Sequence, residues 1–302
     1  MQVEEKTVAF RGHGTWTRTT EPDEPSPGSL PVVVLHGGPG MAHDYVENLA
    51  ELARDGRRVV HYDQLGCGRS THLPDAPADF WTPALFVEEF AAVVADLGLE
   101  RYHVVGQSWG GMLAAEIALT HPAGLASISI LNSPASMELW VRGAESLRRR
   151  LPAEVREALE SHEAAGTIED PEYLAAVDVF YARHLCRLPE PPAALTATLA
   201  QTEADPTVYR TMNGPNEFFV TGSLRDWSVV DRLTEIDVPA LVLAGEFDEA
   251  VPSSWAPFAE SIPDVRTHLE PDASHCTHLE HPEAVLDVVG RFLRRADDVP
   301  RG

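Results

Sequence analysis

A serine framed by glycines, at a junction between a strand-like and a helix-like run, most constrains this chain. Residues 106–110 read Gly-Gln-Ser-Trp-Gly, between an apolar run at 102–105 and a helical pattern at 112–118. This arrangement is typical of a nucleophile elbow, a sharp turn that holds the serine oxygen out of the fold. The amides at the start of the following helix then point toward that oxygen. The pattern predicts an acyl-transfer nucleophile at Ser108, provided that the chain supplies its partners.

Short apolar runs alternate with helical patterns over most of the sequence. Their β-branched character is typical of a parallel sheet that is covered on both faces. A helix is predicted over 83–97, capped by Thr82, and another over 282–296, whereas residues 7–20 favour a hairpin. This alternation predicts an α/β fold with a doubly wound, mostly parallel sheet. The runs predicted as its strands are 31–35, 58–62, 102–105, 126–131, 240–244 and 265–269.

The middle of the chain shows helical periodicity and almost no strand pattern. Four amphipathic helices are predicted there, at 137–150, 152–165, 171–188 and 192–202. We therefore expect a core built from residues 1–132 and 225–302, with an all-helical cap at 133–224. Such a cap would cover the carboxyl edge of the sheet, where open α/β folds bind ligands.

Composition excludes several classes of function. A net charge of −24 argues against nucleic-acid binding, because phosphate recognition needs a basic surface. No apolar run approaches the length of a membrane span, and the polar N-terminus lacks the features of a signal peptide. The cysteines, Cys67, Cys186 and Cys276, are too few and too scattered for a disulfide framework or a zinc site. We expect a cytoplasmic protein that binds no metal and no cofactor.

An elbow serine needs a base, and the base needs an orienting carboxylate. Where such an elbow occurs, the chain order is serine, acid, histidine, with the acid after a late strand. Asp248 follows the strand-like run at 240–244, and Glu246 and Glu249 beside it are its rivals. His275 follows the run at 265–269 and is favoured over His278 and His281, which lie farther along. The predicted catalytic set is therefore Ser108, Asp248 and His275.

Two backbone amides are also needed to stabilise the developing oxyanion, and each is worth about 3 kcal/mol. One should come from Trp109, the residue after the nucleophile. The other should come from the loop after the first buried strand, which reads His-Gly-Gly-Pro-Gly at residues 36–40. Glycines leave backbone amides uncovered, so we predict that Gly38 is the second donor.

Several of these segments resemble a known family. Residues 36–40, 63–70 and 106–111 resemble the proline iminopeptidase family of α/β hydrolases, and the likeness extends from about Val32 to the final helix. Within that family, residues 213–218 and 245–249 are similar to the tricorn-interacting aminopeptidases. The chain departs from the family at Leu65, where many members carry arginine, and at Gln107, where glycine or serine is common. These departures put a strict preference for proline in doubt.

The resemblance implies a serine aminopeptidase that releases an N-terminal residue, often proline, from short peptides or amides. It also implies two glutamates that hold the free α-amine of the substrate, and the matching positions are Glu217 and Glu246. Carboxylates suit this role, because an ammonium in a partly dry pocket needs a counter-charge. An L-amino acid amidase or esterase is the main alternative, and a ligand-binding homologue without turnover is another. The sequence leaves the preferred first residue and the oligomeric state open.

Overall fold

An eight-stranded sheet forms the centre of the computed structural model, which describes residues 1–298. The strand order is β1-β2-β4-β3-β5-β6-β7-β8. β1 and β2 form the predicted hairpin, β2 is also antiparallel to β4, and the other pairs are parallel. This confirms the predicted α/β fold. The strands are β1 Gln2–Phe10, β2 His13–Glu21, β3 Val32–Leu35, β4 Val59–Tyr62, β5 Tyr102–Gln107, β6 Leu125–Leu131, β7 Ala240–Gly245 and β8 Val265–Glu270.

Helices follow the strands and also fill the long segment between β6 and β7. The α-helices are α1 Pro83–Asp96, α2 Trp109–Ala118, α3 Met137–Arg148, α4 Ala153–Ala165, α5 Pro171–His184, α6 Ala193–Ala204, α7 Thr207–Met212, α8 Pro252–Ser261, α9 Thr277–Glu280 and α10 Pro282–Asp297. Short 3₁₀ segments lie at His43–Asp55, Ala78–Phe80, Ser223–Asp226 and Val230–Glu235. Thr82 caps α1 as predicted, since its hydroxyl accepts from the Leu85 amide at 3.2 Å. In the described part of the chain, no helix is long and apolar enough to cross a membrane.

Apolar layers cover both faces of the sheet. Val33 and Val104 face one layer, and Val34 and Val105 face the other, all of them almost fully buried. Each such side chain contributes about 1.5–3 kcal/mol when it leaves water. Burial on two faces explains why the central strands read as continuous apolar runs rather than as alternating patterns. It also leaves the loops at the carboxyl edge as the place for polar chemistry.

The helical segment between β6 and β7 has an apolar core of its own. Leu159, Tyr173, Phe180 and Phe218 pack together there, at the junction of α4, α5 and the loop after α7. Its four long helices match the predicted ones, although α5 ends at His184, four residues earlier than expected. The exact cap boundaries at 133 and 224 stay a prediction. Residues 299–302 of the predicted second core segment lie outside the described residues.

Hydrogen bonds join this segment to the loops at the carboxyl edge of the sheet. The amides of His275 and Cys276 donate to the carbonyls of His184 and Leu185, at 3.0 and 2.8 Å. On the other side, Thr198 of α6 accepts from the Ala42 amide at 2.9 Å. The helical segment between β6 and β7 is therefore joined directly to the segments in which the sequence places the histidine and the glycine-rich loop.

Candidate active site

Ser108 lies at the turn between β5 and α2, in the conformation expected of a nucleophile elbow. Its backbone angles, φ 55° and ψ −122°, are ones that a serine adopts only under strain. The strained turn is held by its amide, which donates to Leu131 O at 2.8 Å. Glycine is required at residue 106, because a Cβ there would lie 2.0 Å from Gly110 O. The elbow is thus built into the packing of β5 against α2.

The predicted acid and base lie together at the ends of neighbouring strands. His275 Nδ1 is 2.8 Å from Asp248 Oδ1, and both side chains are buried. Asp248 also accepts from the Ala250 amide at 2.8 Å and from Asn132 Nδ2 at 2.6 Å. An ionised Asp248 keeps the proton of a neutral His275 on Nδ1, which leaves Nε2 free to accept one.

The rival histidines have other partners. His278 is buried and its Nε2 donates to Tyr45 O at 2.9 Å, and burial lowers the pKa of its ring to about 4. His281 Nδ1 is 2.8 Å from Glu270 Oε1, near the surface. Both rings are engaged by other groups, so the geometry favours His275 as the base.

The two predicted oxyanion donors border a small cavity beside the serine. Gly38, Trp109 and Ser108 all line it. Gly38 has φ 110°, a value at which any other residue would be strained. Its peptide bond to Pro39 is cis. Both predicted donor residues therefore lie against the same cavity as Ser108.

Gln64 joins these two segments, a role that the sequence did not reveal. Its side-chain nitrogen donates to His36 O at 3.1 Å, and its side-chain oxygen accepts from the Trp109 indole at 2.8 Å. Its own amide donates to His36 Nε2 at 3.0 Å. One buried side chain therefore sets the spacing between the glycine-rich loop and the first residue of α2.

Gln107, one of the departures from the family pattern, makes a second such link. The Gly37 amide donates to the Tyr45 hydroxyl at 2.7 Å, and that hydroxyl donates to Gln107 Oε1 at 2.5 Å. At its other end, Gln107 Nε2 donates to His275 O at 3.1 Å. Gln107 thus connects the oxyanion loop to the base. The other departure, Leu65, is buried in the apolar core.

Glu217, the first of the two predicted amine-binding glutamates, lies at the edge of the same cavity. Its carboxylate accepts from the Tyr209 hydroxyl at 2.6 Å, and its backbone carbonyl accepts from the Trp140 indole at 2.6 Å. Burial raises the pKa of this carboxyl, and the nearby His275 opposes the shift. The side chain is therefore fixed in place while one carboxylate oxygen lies outside the Tyr209 hydrogen bond.

Glu249 is the second carboxylate on this side, and it has no hydrogen-bond partner within residues 1–298. It is fully buried, with Oε1 3.7 Å from His275 Nε2. Burial raises the pKa of the carboxyl well above its usual range; His275 opposes the shift, and Glu217 and Asp248 add to it. Because buried polar groups are usually hydrogen-bonded, a buried carboxylate without a donor is available to accept from a ligand.

Glu246, the residue predicted to share the amine with Glu217, lies elsewhere. Its amide donates to Glu270 O at 2.9 Å, one residue beyond the last paired position of β7 and β8. Its side chain is exposed, and its carboxylate accepts from the Asp272 amide at 3.0 Å. The prediction for Glu246 was therefore wrong in position, because its backbone still pairs with Glu270 at the end of β8, and Glu249 is the glutamate that lies beside His275.

His275 stands among these buried carboxylates. Burial alone would lower the pKa of its ring, but the charges of Asp248 and Glu249 outweigh this effect and raise it to about 9. With Glu217, three carboxylates surround one imidazole. This side of the cavity is therefore suited to an additional positive charge.

Apart from Asn213, the rest of the small cavity is lined by apolar side chains. Met112, Met137, Trp140 and Leu224 line it, and the Trp140 ring centroid is 5.6 Å from that of His275. Such walls suit a compact apolar side chain. The residues grouped closely enough to hold a metal ion, in the part of the chain that the structure describes, are His162, Asp170 and Glu172, none of them a predicted site residue.

Comparisons with known proteins agree with this architecture. The family model for the alpha/beta hydrolase fold matches residues 31–282, so the chain is an α/β hydrolase. A proline iminopeptidase of Heyndrickxia coagulans is 38% identical over 270 residues, 88% of this chain and 91% of that protein. A second, of Lactobacillus helveticus, is 33% identical and covers 99% of this chain and 100% of that protein. The chain belongs to the proline iminopeptidase family.

Two solved structures have nearly the same fold. The proline iminopeptidase of Mycobacterium smegmatis is 60% identical, with a TM-score of 0.93 over 97% of this chain and 99% of that one. The protein VinJ is 46% identical, with a TM-score of 0.94 over the same shares of the two chains. The similarity thus includes the helical segment as well as the sheet.

Proposed function

We propose that this chain is a prolyl aminopeptidase, a serine enzyme that releases N-terminal proline or another small apolar residue from short peptides or amides. The observation that carries the proposal is Glu249, a buried carboxylate that has no hydrogen-bond partner in the described residues and lies beside His275 and near Glu217. A substrate with a free α-amine supplies the cation that this pocket lacks. The names of the relatives that cover almost the whole chain support the same activity.

The amine site determines which bond is cleaved. An ammonium between Glu217 and Glu249 fixes the first residue of the substrate, and the apolar walls at Met137 and Trp140 receive its side chain. The first carbonyl then falls beside Ser108, and holding it there removes much of the entropic barrier to attack. A substrate held by its α-amine is cleaved after its first residue, so the arrangement favours an exopeptidase.

Ser108 and His275 carry the chemistry in two stages. Ser108 Oγ attacks the carbonyl carbon and its proton passes to His275 Nε2, while Asp248 stabilises the resulting imidazolium. The amides of Gly38 and Trp109 hold the oxyanion, each contributing about 3 kcal/mol to the transition state. The intermediate collapses, His275 gives the proton to the leaving amine, and an acyl-enzyme remains. Water, activated by His275, then hydrolyses this ester and frees Ser108.

Binding of the substrate amine also changes the pKa of the base, His275. In the empty site, the nearby carboxylates keep the His275 ring protonated up to a pKa of about 9. A bound ammonium neutralises part of that negative charge and so lowers the pKa of the ring toward neutrality, where a general base works best. Substrates with a free amine therefore activate the enzyme that cleaves them.

A mutation and a covalent probe test the proposal. We expect an activated proline phosphonate to label the wild type and Ser161→Ala, a control on α4, but not Ser108→Ala. Hydrolysis of a proline arylamide should fall by about 10⁴-fold or more in Ser108→Ala. Equal labelling of Ser108→Ala and the wild type would refute the assignment of the nucleophile, and absence of all labelling would favour a ligand-binding homologue.

An amidase or esterase would use the same site, so the leaving group separates it from a peptidase. Comparing prolinamide, a proline ester and a proline-containing tripeptide as substrates distinguishes the two. A kcat/KM for the tripeptide far below that of the amide would favour the amidase. We also propose a cytoplasmic location, because Cys67, Cys186 and Cys276 are all free thiols.

A further inference from the structure

A second cavity, of about 500 Å³, lies in the cap between α5, α6 and α7. Glu217 lines both this cavity and the smaller one beside Ser108. The two spaces therefore meet at the proposed amine site. A volume of this size is typical of ligand pockets, which span roughly 300–1,000 Å³. We call it the cap cavity.

The cap cavity has an apolar lining that opens to solvent. Leu174 and Leu199 line it, and they are 50% and 39% exposed, unusually high fractions for large apolar side chains. Val177 and Leu185 lie deeper and are buried. Two exposed leucines above a buried apolar wall suit contact with a ligand that has apolar side chains.

The position of the cap cavity relative to His275 indicates which part of a substrate it receives. Leu185 lines the cavity, and its carbonyl accepts from the amide of Cys276, the residue after His275. Met41, just past the glycine-rich loop, also lines the cavity. Because His275 must protonate the leaving amine, the chain beyond the scissile bond extends on this side. The amine end of the substrate is held by Glu217 and Glu249, where the two spaces meet.

The rim of the cap cavity has an excess of negative charge. Arg210 is the basic residue of the lining, and it pairs with Glu169 at 3.3 Å. The exposed carboxylates of Asp178 and Glu203 also line the cavity. No hydrogen bond or ion pair of either is found among residues 1–298. Two unpaired acidic groups at the mouth favour a cationic group on the ligand.

We propose that the cap cavity is the binding site for the leaving part of the peptide, with a preference for an apolar residue followed by a basic one. This inference rests on the proposed aminopeptidase function. It assigns the apolar lining at Val177, Leu185 and Leu199 to the residue after the scissile bond. It assigns Asp178 and Glu203 to the charged residue that follows.

Four proline substrates with different leaving groups test the assignment. They are a proline arylamide and the amidated tripeptides Pro-Leu-Lys, Pro-Leu-Glu and Pro-Gly-Lys. We expect kcat/KM for Pro-Leu-Lys to exceed that for Pro-Leu-Glu by about three- to tenfold at low salt, and the ratio to shrink as salt screens the rim. Pro-Leu-Lys should also exceed Pro-Gly-Lys, because only leucine fills the apolar wall.

Variants at the rim locate the effect. In the double variant Asp178→Asn/Glu203→Gln the ratio of Pro-Leu-Lys to Pro-Leu-Glu should fall to about one, because the opposing rim charges are gone. Leu199→Asn should reduce the preference for Pro-Leu-Lys over Pro-Gly-Lys. The matched control is Glu154→Gln/Glu160→Gln, which removes two exposed carboxylates of α4 that lie outside the lining. It should keep both wild-type ratios.

The outcomes separate this inference from the function on which it rests. If the wild type hydrolyses the arylamide but shows equal kcat/KM for all three tripeptides, the cap cavity is not a leaving-group site. The same conclusion follows if the rim variant and the α4 control change the ratios equally. If the wild type hydrolyses neither the arylamide nor any tripeptide, the aminopeptidase function itself fails.

Discussion

Asp248 and Glu249 are neighbours in the chain and are both buried, but their carboxylates differ in hydrogen bonding. On the catalytic side, Asp248 is bound by His275, Asn132 and the Ala250 amide. On the amine side, Glu249 has no hydrogen-bond partner in the described part of the chain. The catalytic side is thus complete before substrate arrives, whereas the amine side is completed only by a ligand.

The difference reflects what each side must do. A preorganised acid and base need no rearrangement as charge develops, and this is the main source of electrostatic catalysis. An unsatisfied buried group costs about 1–3 kcal/mol of stability, and a ligand that satisfies it recovers that cost as affinity. The unsatisfied Glu249 therefore lowers the stability of the folded protein at the site of substrate recognition, whereas the fully bonded Asp248 does not.

The largest effect on activity is expected from a substitution of Asp248, the fully hydrogen-bonded carboxylate. In Asp248→Asn, the amide loses the charge that stabilises the imidazolium and favours the wrong tautomer of His275. We expect kcat for a proline arylamide to fall by about 10⁴-fold, as in the analogous serine protease variant. Thermal unfolding measured in parallel shows whether the variant is folded. A folded Asp248→Asn enzyme with less than a tenfold loss would contradict the assigned role.

A smaller effect, mainly on substrate binding, is expected from a substitution of Glu249, the carboxylate without a hydrogen-bond partner in the described residues. In Glu249→Gln the substrate ammonium loses a counter-charge in a buried site, so we expect kcat/KM for the arylamide to fall by about 10²-fold, mainly through KM. An N-acetylproline ester, which has no ammonium, should lose much less. Steady-state kinetics on the two substrates measure the difference.

Glu246→Gln is the matched control for this variant. It removes a carboxylate three residues away that is exposed and bonded to the Asp272 amide. We expect its KM for the arylamide to equal that of the wild type. An increase in KM as large as that of Glu249→Gln would restore the amine-binding role that the sequence assigned to Glu246.

The chain order of the catalytic groups was predictable because each follows a segment that the sequence predicts as a strand. The runs before Ser108 and Asp248 are buried along their whole length and are rich in apolar residues, whereas the edge strand before His275 is largely exposed and reads Val-Arg-Thr-His-Leu-Glu. Parallel strands end at one edge, and residues that follow them must meet there. The same argument placed Gly38 beside Ser108 without any knowledge of the backbone path.

The choice between Glu246 and Glu249 was not predictable in this way. Both glutamates lie in one turn, and only the backbone path shows that Glu246 still pairs with Glu270 while Glu249 points inward. Gln64 and Gln107 also escaped prediction, because their partners are remote in sequence and no local pattern marks such a contact. The cap cavity was also not predictable, because it depends on how three helices pack together. Amphipathic periodicity identifies only the apolar face of each helix.

The smallest effect is a shift in pH dependence, which tests whether Glu249 acts on His275 as well as on substrate. The charges of Asp248 and Glu249 raise the pKa of the His275 ring to about 9, and only the neutral ring is a base. In Glu249→Gln one of these charges is gone, so the pKa of the ring falls and the base is available from a lower pH. The acidic limb of kcat/KM should move down by about one pH unit.

The N-acetylproline ester is the substrate of choice for this measurement, because it has no amine to titrate. Glu246→Gln should leave the limb in place, and an unmoved or raised limb in Glu249→Gln would show that its charge does not reach the base.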